Sequence, residues 1–229
     1  MVIDMKKIII CLILLFIINM KLEIVAVEDI DFLHNIYVEN HQSDTNTKWY
    51  LVLVNEDNYL PDNYQIELTT LSNGIKVDKR ILPNLQKMLD DARKEGLYLY
   101  IGEGYRTNKQ QAQILDNKTN YYITKGYPKK IARKLARRYV ALPSTSEHEL
   151  GISVDINEDI NYSSKASVYS WLDRNAYRYG FIKRYPDNKK EITGINNEPW
   201  HYRYVSKKVA KIMKEKDLCL EEYLEEEYD

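Results

Sequence analysis

Cysteine is nearly absent from the 229 residues: there are two, Cys11 and Cys219, at opposite ends of the chain. Cys11 sits inside an apolar N-terminal run and Cys219 stands alone, so an intrachain disulfide framework is excluded. Stability must come from a hydrophobic core, with a metal as the remaining source of help. Histidine is scarce too: there are four, His34, His41, His148 and His201, and a motif that uses two of them carries weight. Glycine numbers 8 against 20 tyrosines; the tyrosines read as biased composition and ordinary packing. An excess of one charge is also missing. Lys plus Arg total 33 and Asp plus Glu 34, a formal net charge of −1, which leaves no broad basic field for gripping nucleic acid. Internal repeats are lacking, and nothing is of low complexity except the acidic end EEYLEEEYD, read as a solvated terminus.

The chain is long enough for one domain with a proper core and too short for two of ordinary size. Lys6 and Lys7 precede an apolar stretch from Ile8 to Ile18, broken by Asn19 and Lys21. A positive start and a short apolar run read as a secretory signal, short for a free-standing membrane span. Ala26 offers a cleavage point, but Ile24 is not the small residue preferred two positions earlier, so residues 1–27 are expected to be a signal peptide or an N-terminal membrane anchor. Cys11 follows Ile10 within the run, which excludes lipidation. Residues 28–48 are a polar linker, and residues 49–229 form the folded domain. The expected location is extracytoplasmic, secreted or anchored to the outer face of the membrane; oligomeric state is left open.

Within the domain, Trp49 to Val54 is an apolar, β-favouring run. Leu82, Leu85, Met88, Leu89 and Ala92 fall at helical spacing between Asp78 and Gly96, with Gly96 as the stop. Leu97 to Ile101 reads as a strand. Asn108 to Lys125 and Pro128 to Val140 read as helices, the second carrying six cationic residues between Lys129 and Arg138, a solvated face or a contact for anionic wall polymers. Ile152 to Ile156 alternates as a strand, Val168 to Tyr179 is helical, and Phe181 to Arg184 and Trp200 to Val205 are aromatic-rich strands. The tail from Ser206 is helical. Strands and helices mix without a βαβ rhythm, which predicts a single α+β domain with a mostly antiparallel sheet and packed helices.

Three segments hold residues that can do chemistry. SEHELGISVD places His148 and Asp155 on either side of Gly151, where a turn can fold a histidine and a strand aspartate toward one point. Such a pair alone is common in soluble proteins. EPWHYRYV supplies Glu198 and His201, with Pro199 forcing the first toward an extended conformation. A third protein ligand, an open water position and a nearby carboxylate base would complete a catalytic zinc site, although an ExxH pair also arises by chance. GYRTNKQQ carries Arg106, a planar cation suited to a carboxylate or an oxyanion, or to an ordinary ion pair.

In this order and at these separations, the segments resemble the VanY-type D-alanyl-D-alanine carboxypeptidases and their relatives, the D-Ala-D-Ala dipeptidases and L,D-carboxypeptidases. The resemblance rests on SxHxxGxxxD (Ser146, His148, Gly151, Asp155), on ExxH (Glu198, His201), and on GYR with a downstream glutamine. It covers roughly residues 49 to 225. It implies a hedgehog/D-Ala-D-Ala peptidase-like fold, zinc ligated by His148, Asp155 and His201, and Glu198 as the catalytic base. It also implies Arg106 on the substrate carboxylate or oxyanion, and Gln111 and Ser146 as substrate contacts. The substrate would be a peptidoglycan stem peptide trimmed of its C-terminal D-alanine. Two positions depart from the family pattern: Ser153 stands where alanine is usual, and Ser144 where glycine is usual. An L,D-carboxypeptidase, a dipeptidase or an endopeptidase would share the constellation; a non-catalytic wall-binding module would have no use for Glu198.

Overall fold

The computed structural model describes residues 48–226; the apolar N-terminal run, its cleavage point and the linker up to residue 47 lie outside the described residues. In chain order the main elements are β1 (Leu68–Thr70), β2 (Lys76–Asp78), α1 (Leu82–Lys94), β3 (Leu99–Glu103), α2 (Asn108–Thr124), α3 (Lys129–Ala136), β4 (Ser153–Glu158), α4 (Lys165–Asn175), β5 (Phe181–Lys183), β6 (His201–Tyr204), α5 (Lys207–Lys216) and α6 (Leu220–Glu225). Short helical turns lie between them.

The sheet is built by period-two alternation. Along β4, Val154 and Ile156 enter the hydrophobic core while Ser153 and Asp155 take the opposite face; along β6, Tyr202 and Tyr204 enter it while His201 and Arg203 oppose them. Four antiparallel strands run in the order β3-β4-β6-β5. β1 and β2 form a separate antiparallel hairpin. Against the apolar face pack α1, through the fully buried Leu85 and Met88, and α4, through Val168, Trp171 and Leu172. Truncating either of those α1 side chains to alanine costs about 2–5 kcal/mol. α5 and α6 close a second, smaller cluster over Ile182 and Val205.

The helices start and stop for local reasons. α1 has proline in its first turn and is followed by Gly96 at φ +77°, as its pattern predicts. α2 opens on a capping box in which Thr107 accepts from the Gln110 backbone and Gln110 reaches back to Thr107.

Two expectations fail. Trp49 to Val54 is not a strand: Trp49–Leu51 is a 3-10 turn and the rest is irregular. Its backbone acceptors are used otherwise, since Arg203 Nη2 donates to the carbonyls of Tyr50 (3.2 Å) and Val52 (2.9 Å), and Trp49 stacks on Tyr204. The acidic tail is not merely solvated either. Glu221 is buried against Arg184, and Glu222 pairs with Lys189.

Candidate active site

His148 lies on the 3-10 turn Glu147–Leu150, which ends at Gly151 with φ +69°. That left-handed conformation suits glycine and turns the chain directly into β4. On β4, Asp155 stands opposite His201 of β6 in the strand register, so the two side chains share one face as cross-strand neighbours. Asp155 Oδ1 is 3.4 Å from His148 Nε2 and 3.2 Å from His201 Nδ1. One donor atom from each of the three residues lies within 4.8 Å of the other two. Tetrahedral zinc with bonds of about 2.0–2.1 Å holds neighbouring donors roughly 3.4 Å apart, so two imidazoles and a carboxylate at this spacing fit the ion in both geometry and chemistry.

The remaining ring nitrogens are committed elsewhere, which fixes how each imidazole presents itself. His148 Nδ1 donates to the Gly104 carbonyl at 2.7 Å. A side chain at Gly104 would collide with the Lys76 carbonyl of β2 and with Ile75 just before it, so the close approach requires glycine. His201 Nε2 faces Glu147 Oε2 at 3.3 Å. Glu147 is almost wholly buried and also accepts from Ser153 Oγ (3.1 Å), Arg184 Nε (2.7 Å) and Arg203 Nη1 (2.9 Å).

Charge follows from these contacts. Burial works against ionisation of Glu147, but Arg184, Arg203 and His201 override it and hold its carboxyl well below the usual range. Burial likewise opposes the charge on Asp155, and the two histidines reverse the balance, so it stays ionised. Burial depresses His148. It acts the same way on His201, yet the hydrogen bonds to Asp155 and Glu147 more than offset it and raise that imidazole to about 9.

Glu198 sits on the loop leading into β6, with its backbone N–H donating to the Tyr185 carbonyl at 2.9 Å. Its Oε2 lies 3.9 Å from His201 Nδ1, the nitrogen turned toward the three-donor centre. Burial pushes the Glu198 carboxyl up to about 7, against the opposing charges of His201, Arg106 and Lys118. Such a value suits a group that takes and returns protons near neutrality.

Arg106 follows β3 and reaches Asp155 Oδ2 with Nη2 at 3.5 Å. Its Nη1 donates to Gln111 Oε1 at 3.3 Å; Nε lies 3.3 Å from Glu103 without the alignment of a hydrogen bond. Gln111 uses the other end of its amide on the Ala141 carbonyl at 2.8 Å, so it orients Arg106 and ties α2 to the facing loop. Arg106, Gln111, Ser146, His148, Asp155, Glu198 and His201 all line one cleft of about 320 Å³, shared with Tyr185 and Trp200. The structure therefore brings together every site residue expected from the sequence.

One feature was not read in advance. Glu147 carries the support behind His201; its signal was an acidic residue next to a ligand histidine in a segment otherwise destined for burial. Ser144, one of the two departures from the family pattern, adopts φ +66°.

The VanY family model, described as D-alanyl-D-alanine carboxypeptidase, matches residues 74–207. The D-alanyl-D-alanine carboxypeptidase of Enterococcus faecalis is 51% identical over 180 residues, covering 79% of this chain and 67% of the relative. Among solved structures, VanYB in complex with D-alanine-D-alanine is 50% identical with a TM-score of 0.78, covering 79% of this chain and all of that one. The VanB-type D,D-pentapeptidase VanY in complex with Zn(II) is 51% identical with a TM-score of 0.76, covering 77% and 99%. With the family model spanning more than half of its length and the site residues converging on one cleft, the chain belongs to the VanY family of D-alanyl-D-alanine carboxypeptidases.

Proposed function

We propose that this chain is a zinc-dependent carboxypeptidase that removes the C-terminal D-alanine from peptidoglycan stem peptides outside the cytoplasm. The observation that carries the reading is Glu198, buried and 3.9 Å from the metal-facing nitrogen of His201, beside a donor trio with zinc spacing. A structural metal site has no use for a base held there. Relatives crystallised with Zn(II) and with D-alanine-D-alanine support the cofactor and the substrate. The apolar run at residues 8–18 and a wall substrate support the location. A signal peptide or an N-terminal anchor is the accompanying proposal.

His148, Asp155 and His201 would hold the metal, which when bound supplies Lewis acidity and a water of lowered pKa. Glu198 takes a proton from the attacking water and returns it to the departing amine. Arg106, already oriented by Gln111 and Asp155, stabilises negative charge developing on the scissile carbonyl oxygen or pairs with the terminal carboxylate. Ser146 contributes a polar contact from the same wall. Gly104 and Glu147 keep the two imidazoles aimed at the centre throughout.

Incubating the protein with a stem pentapeptide ending in D-Ala-D-Ala and weighing the products tests the reading. Loss of one D-alanine supports it; loss of the dipeptide or an internal cut replaces it with a related specificity. Glu198→Gln is expected to keep stoichiometric zinc and lower kcat by about 10²–10⁴-fold. A variant with ordinary activity would remove Glu198 from the mechanism.

A further inference from the structure

One wall of the cleft is a stripe of α2 formed by Gln111, Ile114 and Lys118, positions that share a helix face. At the near end Gln111 touches Arg106. At the far end Lys118 is partly buried, its ammonium 4.8 Å from the ring centre of Tyr139, 5.5 Å from that of Tyr121 and 5.8 Å from that of Tyr122. Aromatic faces hold a cation in place without neutralising it. Among the described residues no carboxylate pairs with Lys118. The local sequence explains why: residues 117–146 contain no Asp or Glu, and the neighbouring Asp116 is turned to Arg133 at 3.5 Å. A positioned, unneutralised cation therefore faces a cleft built for peptide.

Its distance from the chemistry says which part of a peptide it meets. Seven residues of α2 separate Lys118 from Gln111, a rise of about 10 Å. A carboxypeptidase substrate has a single residue on the leaving side of the scissile bond, too short to extend that far. Whatever lies beside Lys118 must belong to the acyl side, and at about 3.3 Å per residue of extended chain it falls two or three residues from the scissile bond.

We propose that Lys118, framed by Tyr139, Tyr121 and Tyr122, is a subsite for a carboxylate borne by the second or third residue on the acyl side, making the enzyme selective for acidic peptides over neutral ones. The subsite rests on the carboxypeptidase reading. It adds a requirement that His148, Asp155, His201 and Glu198 do not impose, because in that reading those residues act at the reacting bond.

The test uses zinc-loaded protein and matched pentapeptides ending in D-Ala-D-Ala that differ only by Glu or Gln at the second or third acyl-side residue. The wild type should favour the Glu peptide at one of these positions by about five- to tenfold in kcat/KM, expressed in KM. Lys118→Gln should bring that ratio close to one, and Lys118→Arg should retain most of it. A wild-type ratio of one at both positions would overturn the subsite, as would a ratio that survives in Lys118→Gln, the pattern expected if the lysine merely packs among tyrosines. If the wild type releases D-alanine from neither peptide, the carboxypeptidase reading falls and the subsite falls with it.

Discussion

Ser144 holds its backbone at φ +66° without being glycine, a conformation that costs an L-residue about 1–2 kcal/mol. Its N–H donates to Glu149 at 2.8 Å and its carbonyl accepts from Leu60 at 2.7 Å, so neighbours on both sides impose the bend. Ser144→Gly is expected to stabilise the protein by about 0.5–1 kcal/mol, the exposed hydrogen bond from Asn108 to the Ser144 hydroxyl being the small loss. Urea unfolding reads the difference, and a lower midpoint in the variant would show that the hydroxyl outweighs the backbone. His201 supports a second expectation. With its pKa near 9, the metal-free imidazole carries protons on both nitrogens at neutral pH, facing Asp155 and Glu147. Zinc would take Nδ1, so binding at pH 7 should release about one proton from this imidazole. Calorimetry in buffers of different ionisation heat counts the release, and a count of zero would mean that the metal-free imidazole is already neutral at pH 7 or that it binds no metal.

Among the elements, those whose partners are close in sequence were legible. α1 follows from Leu85, Met88 and Ala92 and its glycine stop; the sequence predicts α2 over Asn108 to Lys125, and its Thr107 cap emerges only from the structure. β4 follows from alternation and β6 from its aromatic content, and their pairing puts Asp155 and His201 on one face. The site was legible because its three segments together resemble the VanY family; each of them alone is a common pattern. What escaped depends on distant partners. Trp49 to Val54 has strand composition, but its carbonyls meet a guanidinium from residue 203, 151 and 153 positions away from Val52 and Tyr50. The short hairpin β1–β2, three residues per strand, offers too little pattern to read, yet the Lys76 carbonyl anchors Tyr105 at 2.6 Å and Asp78 N–H meets the Gly151 carbonyl at 2.8 Å. α6 looked like a solvated end because nothing local marks Glu221 as the partner of Arg184, 37 residues earlier. Glu221→Gln should therefore destabilise the fold by about 3 kcal/mol, the cost of breaking a buried pair and leaving a charge behind. Chemical denaturation measures this, and a change within error would return the tail to the solvent.

For the whole molecule, acid and metal act on the same network. Burial opposes the charge of Glu221, and Arg184 overrides it; Glu147 is held ionised in the same way by Arg184 and Arg203. Native carboxyls with depressed pKa values bind fewer protons than the unfolded chain in mild acid. Their stabilisation is complete above the ordinary glutamate value of about 4.3 and is lost as pH falls below it toward the native values. These two carboxyls contribute nothing to the pH dependence between about pH 7 and 5 and a steep loss of melting temperature below, and that loss should be shallower in Glu221→Gln. A melting temperature that does not fall between about pH 5 and 3 would contradict the network. The β4–β6 pairing has a further consequence. Because Asp155 faces His201 across a ladder with a two-residue repeat, a slip of one position would send the aspartate into the greasy interior and offer Val154 to the metal. No intermediate, half-competent alignment exists, so specific activity per molecule of protein counts the molecules that have zipped these strands correctly, and turnover itself becomes an assay of folding fidelity.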